Sequence, residues 1–278
     1  MKYLNLDIHF QPLGKTIEHK AFQFKGGEPH IKITEVLNQN DEVTITTRIR
    51  SFNDLGLLLV AVDALRRMKI KSIYLVLPYF PGARQDRLMV KGEPLTVKVY
   101  ADLINNLKLN KVTIVDPHSE VTSALLNNVL VVDNNLFVAE ATKGLNNFIL
   151  IAPDSGALKK IYKTAQFLGG VEVVKCGKKR DVRTGKLSGF KVYEEDLDNK
   201  TCVVVDDICD GGGTFLGLAE QLKAHNAGKL ILIVTHGLFT KGLDELAQEF
   251  DQIICTDAFD TNNDEKLTQI KLNNKLLK

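Results

Sequence analysis

The sequence predicts an α/β fold built on parallel sheets. Short runs rich in Val and Ile alternate with stretches of helical periodicity, and this alternation repeats along most of the 278 residues, of which 44% are hydrophobic. Strands that alternate with helices pair in parallel, because each helix carries the chain back to the start of the next strand. The length suits two domains of ordinary size.

The first strand-helix series occupies the N-terminal half. Its predicted strands are 43–49, 73–78, 112–116 and 130–132, and its predicted helices are 52–68 and 94–107. In the first helix Leu58 and Leu65 share one face, as the helical period requires. Asn53 or Asp54 is the predicted N-cap, since short polar side chains accept hydrogen bonds from the first free N–H groups.

A second series follows in the C-terminal half. Its predicted strands are 148–153, 171–175, 202–207, 230–236 and 252–256, and its predicted helices are 155–168, 215–226 and 241–249. The two series are similar in length. We therefore predict two doubly wound domains with parallel sheets, 1–138 and 139–278, with helices on both faces of each sheet.

The composition excludes several classes of protein. The net charge is +2, from 36 basic and 34 acidic residues, so no electrostatic argument favours nucleic acid or a membrane surface as a partner. No apolar run approaches the roughly 20 residues that span a bilayer. Four cysteines without CxxC spacing argue against a zinc knuckle or a disulfide framework. We expect a reduced, cytoplasmic protein.

The strongest chemical signal is VVVDDICDGGGT at 203–214. A buried strand ends in two acids, and a glycine-rich turn opens a helix. Ligands of open α/β sheets bind at the carboxyl ends of strands, and glycines next to a helix N-terminus suit a phosphate. We interpret Asp206 and Asp207 as acceptors for ribose hydroxyls. The phosphate site is assigned to Asp210, Gly211, Gly212, Gly213 and Thr214. A plain turn with capping acids is the alternative, but it requires neither three glycines nor three acids.

This stretch resembles the phosphoribosyl-diphosphate loop of type I phosphoribosyltransferases and of ribose-phosphate diphosphokinases. Four further segments resemble the diphosphokinases, in order and with similar spacing: LPYFPGARQDR at 77–87, IVDPHSE at 114–120, IAPDSGALKK at 151–160 and THGLF at 235–239. Ordinary phosphoribosyltransferases lack the first half. The resemblance runs from about residue 22 to residue 256 and implies two domains of the phosphoribosyltransferase-like type.

The resemblance implies an ATP site in the first domain. Arg84 and Gln85 match its contacts, since a guanidinium is a planar donor for phosphate and an amide can reach a base edge. His118 matches a further contact. Phe24 and Glu28 match a turn that reaches the adenine bound by a neighbouring subunit, which implies a homo-oligomer, a dimer or a hexamer. A core Phe and a solvated Glu on an ordinary turn are the alternative.

The resemblance also implies a magnesium site and a catalytic loop. His118 and Asp154 match the metal-binding positions, and sparse protein ligation is usual for Mg²⁺, which keeps waters and substrate phosphates as ligands. Lys178 and Arg180 match the Lys and Arg of a mobile catalytic loop. Such a loop can exclude water and stabilise charge on the transferred group.

The reaction implied is Mg²⁺-dependent transfer of the diphosphoryl group of ATP to the anomeric 1-hydroxyl of ribose 5-phosphate, giving 5-phosphoribosyl 1-diphosphate (PRPP) and AMP. The family has Thr or Ser where this chain has Gly211, and Asp or Asn where it has Gly26. We expect extra space at Gly211, so ADP-ribose, giving ADP-ribose 1-diphosphate in NAD metabolism, is an alternative acceptor. A phosphoribosyltransferase and a catalytically silent regulatory subunit are further alternatives. The expected partners are a sugar phosphate and ATP.

Overall fold

The computed structural model describes residues 1–180 and 187–277 and consists of two compact units. Unit 1 comprises Met1–Val132 together with the C-terminal residues from Leu272, and unit 2 comprises Asp133–Lys271. Both units are α/β with parallel sheets, which confirms the predicted fold class. In the described part of the chain, every helix is too short or too polar to cross a membrane.

Unit 1 is built on a five-stranded sheet in which all neighbours are parallel. In sheet order the strands are β1 (Lys2–Asn5), β4 (Glu42–Thr46), β5 (Ser72–Val76), β6 (Lys111–Val115) and β7 (Val129–Val132). The helices are α1 (Phe52–Arg67), α2 (Thr96–Asn106) and α3 (Glu120–Leu125). An antiparallel hairpin, β2 (His19–Gln23) and β3 (Pro29–Ile33), separates β1 from β4 in the sequence.

The first helix begins at a capping box. The Ser51 hydroxyl accepts the Asp54 N–H at 3.2 Å, and the Asp54 carboxylate accepts the Ser51 N–H at 2.8 Å. The cap is therefore Ser51, and the predicted cap at Asn53 or Asp54 is wrong. Asp54 serves as the reciprocal N3 partner instead. The buried face of α1 consists of Leu55, Leu58, Ala61, Val62 and Leu65.

A buried ion pair lies just beyond β1. The Asp7 carboxylate is 2.7 Å from an Arg48 guanidinium nitrogen, and Arg50 donates to the same carboxylate at 3.0 Å. The Arg48 side chain is 1% exposed and lies over the Phe10 ring, 5.2 Å from its centre. A charge buried to this degree depends on its partner, because water no longer solvates it.

Unit 2 contains a seven-stranded sheet among its described residues. In sheet order the strands are β10 (Leu187–Val192), β9 (Val173–Arg180), β8 (Phe148–Ala152), β11 (Thr201–Cys209), β12 (Leu230–Gly237), β13 (Gln252–Thr256) and β14 (Leu267–Ile270). Only β9 and β10 pair antiparallel within that sheet. The described helices are α4 (Asn135–Ala141), α5 (Leu158–Phe167), α6 (Gly213–Ala224) and α7 (Asp244–Glu249).

The strand order of unit 2 reverses between β8 and β11. From β8 the chain moves outward through β9 to β10, and from β11 it moves the other way through β12 and β13 to β14. Two separate hydrophobic clusters result, one with residues of α6 and α7 and one with residues of α4 and α5. Such a reversal opens a crevice at the carboxyl ends of the two central strands, where ligands of open α/β sheets bind.

Two predicted boundaries differ from the structure. The predicted division at residue 138 lies within α4, whose Asn135 accepts the Thr164 hydroxyl of α5 at 2.8 Å, so that helix belongs with unit 2. The helix predicted over 241–249 begins only at Asp244. Gly242 has a φ of +78°, and this left-handed conformation separates Lys241 from the helix.

Candidate active site

Three carboxylates lie at the carboxyl edge of the unit 2 sheet, at the strand reversal. Val204 of β11 pairs with Ile151 of β8, so Asp206 and Asp207 at the end of β11 reach the same edge as Asp154, which follows β8. The Asp206 carboxylate accepts the Asp207 N–H at 2.9 Å, and the Asp207 carboxylate accepts the next backbone N–H at 3.0 Å. The structure thus brings these three predicted site residues together.

The electrostatics of this edge favour a hydroxyl donor or a cation. Burial raises the pKa of Asp206 well above its ordinary value, and the carboxylates of Asp207 and Asp154 raise it further. Carboxylates that repel one another are stabilised when a donor or a positive charge comes between them. A ribose diol supplies such donors, in line with the predicted role of Asp206 and Asp207.

The glycine turn joins β11 to α6. Gly212 is the N-cap of α6 and has a φ of +75°, a conformation that glycine adopts at little cost. A Cβ atom on Gly212 would meet Leu246 at 3.2 Å, whereas one on Gly213 would meet nothing within 4 Å. The first N–H groups of a helix have no partner four residues earlier and attract anions. The turn therefore has the backbone of a phosphate site.

The segment after β12 is hydrogen-bonded to this turn. The N–H groups of Leu238 and Phe239 donate to the Cys209 carbonyl at 2.8 and 3.1 Å, and the Thr240 N–H donates to the Asp210 carbonyl at 3.1 Å. The Thr240 hydroxyl also donates to the Asp210 carboxylate at 2.6 Å. Asp210, a predicted phosphate contact, therefore also holds the segment that follows β12.

The side chain of Lys241 lies beside Gly211. A Cβ atom on Gly211 would meet Cδ, Cε and Cγ of Lys241 at 3.4, 3.5 and 3.6 Å. The methylenes of Lys241 therefore cover the position where the family has Thr or Ser. These are ordinary van der Waals distances, so Lys241 lines the turn beside Gly211, and the expected extra space stays a prediction.

Asp154 holds the loop that leads into α5. Its Oδ1 atom accepts the N–H groups of Gly156 and Ala157 at 2.8 and 3.1 Å. Its carboxylate suits Mg²⁺, which prefers oxygen ligands. Among residues 1–180 and 187–277, no group of three or more His, Cys, Asp or Glu side chains is arranged to hold a metal ion. These residues fit a magnesium ion only if substrate phosphates and water supply most of its ligands.

In unit 1 the ARQDR loop lies beside the segment that follows β6. Arg84 and Gln85 are exposed, and Asp86 between them and Arg87 is buried. The pKa of Asp86 lies below its ordinary value. Burial acts to raise it, but this effect is outweighed by hydrogen bonds from Ser119 and Arg87 and by the nearby charges of Arg87 and His118. This brings His118 close to the predicted ATP loop.

The predicted adenine turn is the exposed tip of the β2–β3 hairpin. Phe24 is 52% exposed, so the alternative of a core phenylalanine is wrong. Its ring lies 5.0 Å from Phe22 and 5.5 Å from His30, forming an aromatic cluster on one face of the hairpin. A Cβ atom on Gly26 would meet the Glu28 carboxylate at 2.5 Å. The Glu28 carboxylate therefore lies where the family has the side chain of an Asp or Asn at position 26.

The predicted catalytic residues are described only in part. Lys178 and Arg180 are among the last residues of β9. Their side chains, and the residues from 181 to 186, lie outside the described part of the chain. Their catalytic role stays a prediction.

Sequence reasoning missed two residues at these sites. Asp86 lies within the ARQDR segment, but the sequence alone did not indicate that its carboxylate is buried beside His118. Lys241 follows the THGLF segment by two residues, outside the motif. Lys241 lies against Gly211, but nothing in the sequence links these two positions.

The comparisons with known proteins cover both halves of the chain. Residues 6–107 match the N-terminal domain of ribose phosphate pyrophosphokinase, and residues 124–270 match the phosphoribosyl transferase domain. The ribose-phosphate pyrophosphokinase of Vibrio parahaemolyticus is 32% identical over 245 residues, which are 85% of this chain and 77% of that protein. The enzyme of the same name from Mycoplasmopsis pulmonis is 31% identical and covers 92% of this chain and 79% of its own.

A solved structure agrees with the fold. The phosphoribosylpyrophosphate synthetase of Mycobacterium smegmatis superposes with a TM-score of 0.78 at 23% identity, covering 98% of this chain and 95% of that chain. At this identity the likeness establishes the fold, and the sequence relatives establish the family. The chain belongs to the ribose-phosphate pyrophosphokinase family.

Proposed function

We propose that this protein transfers the diphosphoryl group of ATP to the anomeric 1-hydroxyl of ribose 5-phosphate, giving PRPP and AMP in a magnesium-dependent reaction. The observation that carries the proposal is the acid pair followed by a glycine turn at the strand reversal of unit 2, within a chain of this family. The relatives give no support to a phosphoribosyltransferase, to a silent subunit or to ADP-ribose as the acceptor.

The acceptor is held by unit 2 in this proposal. Asp206 and Asp207 accept hydrogen bonds from the ribose hydroxyls. These donors stabilise the ionised form of Asp206 and so oppose the rise in its pKa that burial and the neighbouring carboxylates cause. The 5-phosphate lies in the turn formed by Asp210, Gly211, Gly212, Gly213 and Thr214, at the N-terminus of α6. Backbone N–H groups and the helix dipole then stabilise its negative charge.

The donor is held by unit 1. Phe24 and Glu28 contact the adenine, and Arg84, Gln85 and His118 contact the nucleotide, as the family resemblance implies. Exposure of Phe24, Arg84 and Gln85 supports this assignment, because they have surface available for a ligand. For magnesium, the family resemblance implies His118 in unit 1 and Asp154 in unit 2, and the ion would neutralise phosphate charge.

The reaction needs positioning and charge neutralisation more than covalent catalysis. The anomeric oxygen of the acceptor forms a bond to the β-phosphorus of ATP. The bond from that phosphorus to the oxygen shared with the α-phosphate breaks, AMP leaves with this oxygen, and the hydroxyl proton passes to solvent. Lys178 and Arg180 stabilise the charge on the transferred group in the transition state.

We also propose that the protein assembles into a homo-oligomer, at least a dimer. Phe22 and Phe24 are 49% and 52% exposed beside His30 on one hairpin face. Exposed aromatic clusters of this kind are typical of contact surfaces. Light scattering coupled to size-exclusion chromatography gives the mass of the assembly. A monomer at the concentration used in the activity assay would contradict the proposal.

A product assay tests the proposed function. Purified protein, ATP and Mg²⁺ are incubated with ribose 5-phosphate, with ADP-ribose or without acceptor, and products are identified by mass. We expect AMP and PRPP with ribose 5-phosphate. If AMP forms only with ADP-ribose, then ADP-ribose is the acceptor and ribose 5-phosphate is not. If no tube contains AMP, the protein is not a diphosphokinase.

The role of Lys178 has its own kinetic signature. Because its contact would form mainly in the transition state, we expect Lys178→Ala to lower kcat far more than it weakens ATP binding. ATP binding is measured by calorimetry without acceptor, and turnover by AMP release. Equal losses in binding and turnover would show that Lys178 binds ground-state ATP instead.

A further inference from the structure

A lysine covers the phosphate turn at the position where this chain departs from its family. The Lys241 side chain passes Gly211 with Cδ, Cε and Cγ at 3.4 to 3.6 Å from the point where a Cβ atom would stand. Its ammonium nitrogen is one bond, about 1.5 Å, beyond Cε and therefore lies within about 5 Å of that point. In family members, the side chain of the threonine or serine at position 211 begins at this same Cβ position.

The backbone that carries Lys241 is fixed against the turn. Three N–H groups in the segment before it, on Leu238, Phe239 and Thr240, donate to the carbonyls of Cys209 and Asp210. The residue after it, Gly242, is left-handed and ends the segment before α7. The base of the lysine side chain therefore keeps a constant position relative to the turn.

The acids beside Lys241 have other hydrogen-bond or ion-pair partners. The Asp210 carboxylate accepts the Thr240 hydroxyl at 2.6 Å, and Asp244 pairs with Lys266 at 2.6 Å. Within the described residues, Lys241 forms no ion pair. It is exposed, so its ammonium group is available to a ligand at the turn.

We propose that Lys241 binds the 5-phosphate of the acceptor, in place of the hydroxyl donor that the family has at position 211. This inference rests on the proposed function. A terminal phosphate carries about −1.5 to −2 charge at pH 7, whereas each phosphate within a diphosphate bridge carries a single charge. By charge, Lys241 therefore favours ribose 5-phosphate over ADP-ribose.

Three variants test this assignment. Lys241→Gln removes the charge, Lys241→Arg keeps it, and Lys229→Gln removes the same charge at the opposite end of β12. Lys229 precedes that strand and Lys241 follows it, and an eight-residue strand spans about 26 Å. Lys229 is exposed and, like Lys241, forms no ion pair among the described residues.

We expect Lys241→Gln to raise the KM for ribose 5-phosphate about tenfold, the effect of losing one charge-assisted contact. The kcat and the KM for ATP should not change, Lys241→Arg should restore most of the affinity, and Lys229→Gln should behave as the wild type. The inhibition constant of ADP-ribose, measured against ribose 5-phosphate, should change less. Urea unfolding of each variant checks that the fold is intact.

Two results would overturn the proposal. One is an equal KM for ribose 5-phosphate in Lys241→Gln and Lys229→Gln, and the other is a larger effect of Lys241→Gln on ADP-ribose than on ribose 5-phosphate. If the wild-type protein forms no AMP, the proposed function fails separately. Calorimetric titration with ribose 5-phosphate then tests Lys241 directly, and the same tenfold difference in Kd between the two glutamine variants is expected.

Discussion

Replacing Gly212 by alanine should destabilise unit 2 strongly, although the change adds a single methyl group. Two effects add. The φ of Gly212 is +75°, and an L-residue in the left-handed region costs about 1–2 kcal/mol. The new Cβ would meet Cγ and Cδ2 of Leu246 at 3.2 Å. Leu246 is 2% exposed, so it has little room to move, and overpacking of this kind costs about 1–3 kcal/mol. We expect a loss of about 3 kcal/mol in the free energy of unfolding, from these two sources together.

The neighbouring glycine is the matched control. Gly213 is the first residue of α6, and a Cβ on it would meet no atom within 4 Å. Alanine there should change the free energy of unfolding by less than about 0.5 kcal/mol. Both variants carry the same chemical change in adjacent residues of the turn, so the difference between them isolates backbone conformation and the Leu246 contact.

The assay is urea unfolding followed by circular dichroism, with the midpoint and slope compared between variants. A shifted midpoint at constant slope reports a change in stability. Equal midpoints for Gly212→Ala and Gly213→Ala would refute the reasoning. So would a large loss in Gly213→Ala, because it would mean that atoms near that position come closer than the structure indicates.

Three further predictions concern groups buried elsewhere. Asp7→Ala should lower the free energy of unfolding by about 3–5 kcal/mol, because it leaves the Arg48 charge buried without its carboxylate. Glu35→Ala, which removes the partly exposed ion pair with Lys2, should change the urea midpoint little. Similar midpoints for the two variants would contradict this. Burial raises the thiol pKa values to about 12 for Cys176, Cys209 and Cys255 and to about 11 for Cys202. At pH 8 the native thiols stay neutral and should resist a thiol reagent until guanidinium unfolds the chain, and rapid labelling of the native protein would contradict this. Since the unfolded thiols ionise first as the pH rises above about 9, the free energy of unfolding should fall from that pH upward.

The buried parallel strands were the most predictable part of the fold. Residues of β11 and β12 form continuous aliphatic runs such as VVV and LILIV, because both faces of a central parallel strand are buried. Most residues of β2 are exposed, and in the short β3 only Ile31 is buried, so neither segment has the buried apolar run that predicts a strand, and none was predicted there. The cap of α1 was placed too late because Ser51, Asn53 and Asp54 are all good capping residues, and only the reciprocal hydrogen bonds distinguish Ser51.

The candidate site was predictable where its parts are contiguous. The acids and glycines at 206–214 form one uninterrupted segment, and their chemistry can be inferred from neighbouring residues. Contacts between distant segments could not be inferred in this way. Lys241 lies against Gly211, and His118 lies near Asp86, because of strand order and loop geometry. A motif search treats each of these segments separately.

The division of the chain has a consequence for its synthesis. Unit 2 is one continuous stretch, Asp133–Lys271, whereas unit 1 takes its last residues from the C-terminus. Leu272, Leu276 and Leu277 in that terminal segment are buried. These leucines follow the whole of unit 2 in the sequence, so unit 1 begins to emerge from the ribosome first but is completed only after unit 2 has emerged. Domains generally fold as units during synthesis, and here the order of emergence is the reverse of the order of completion.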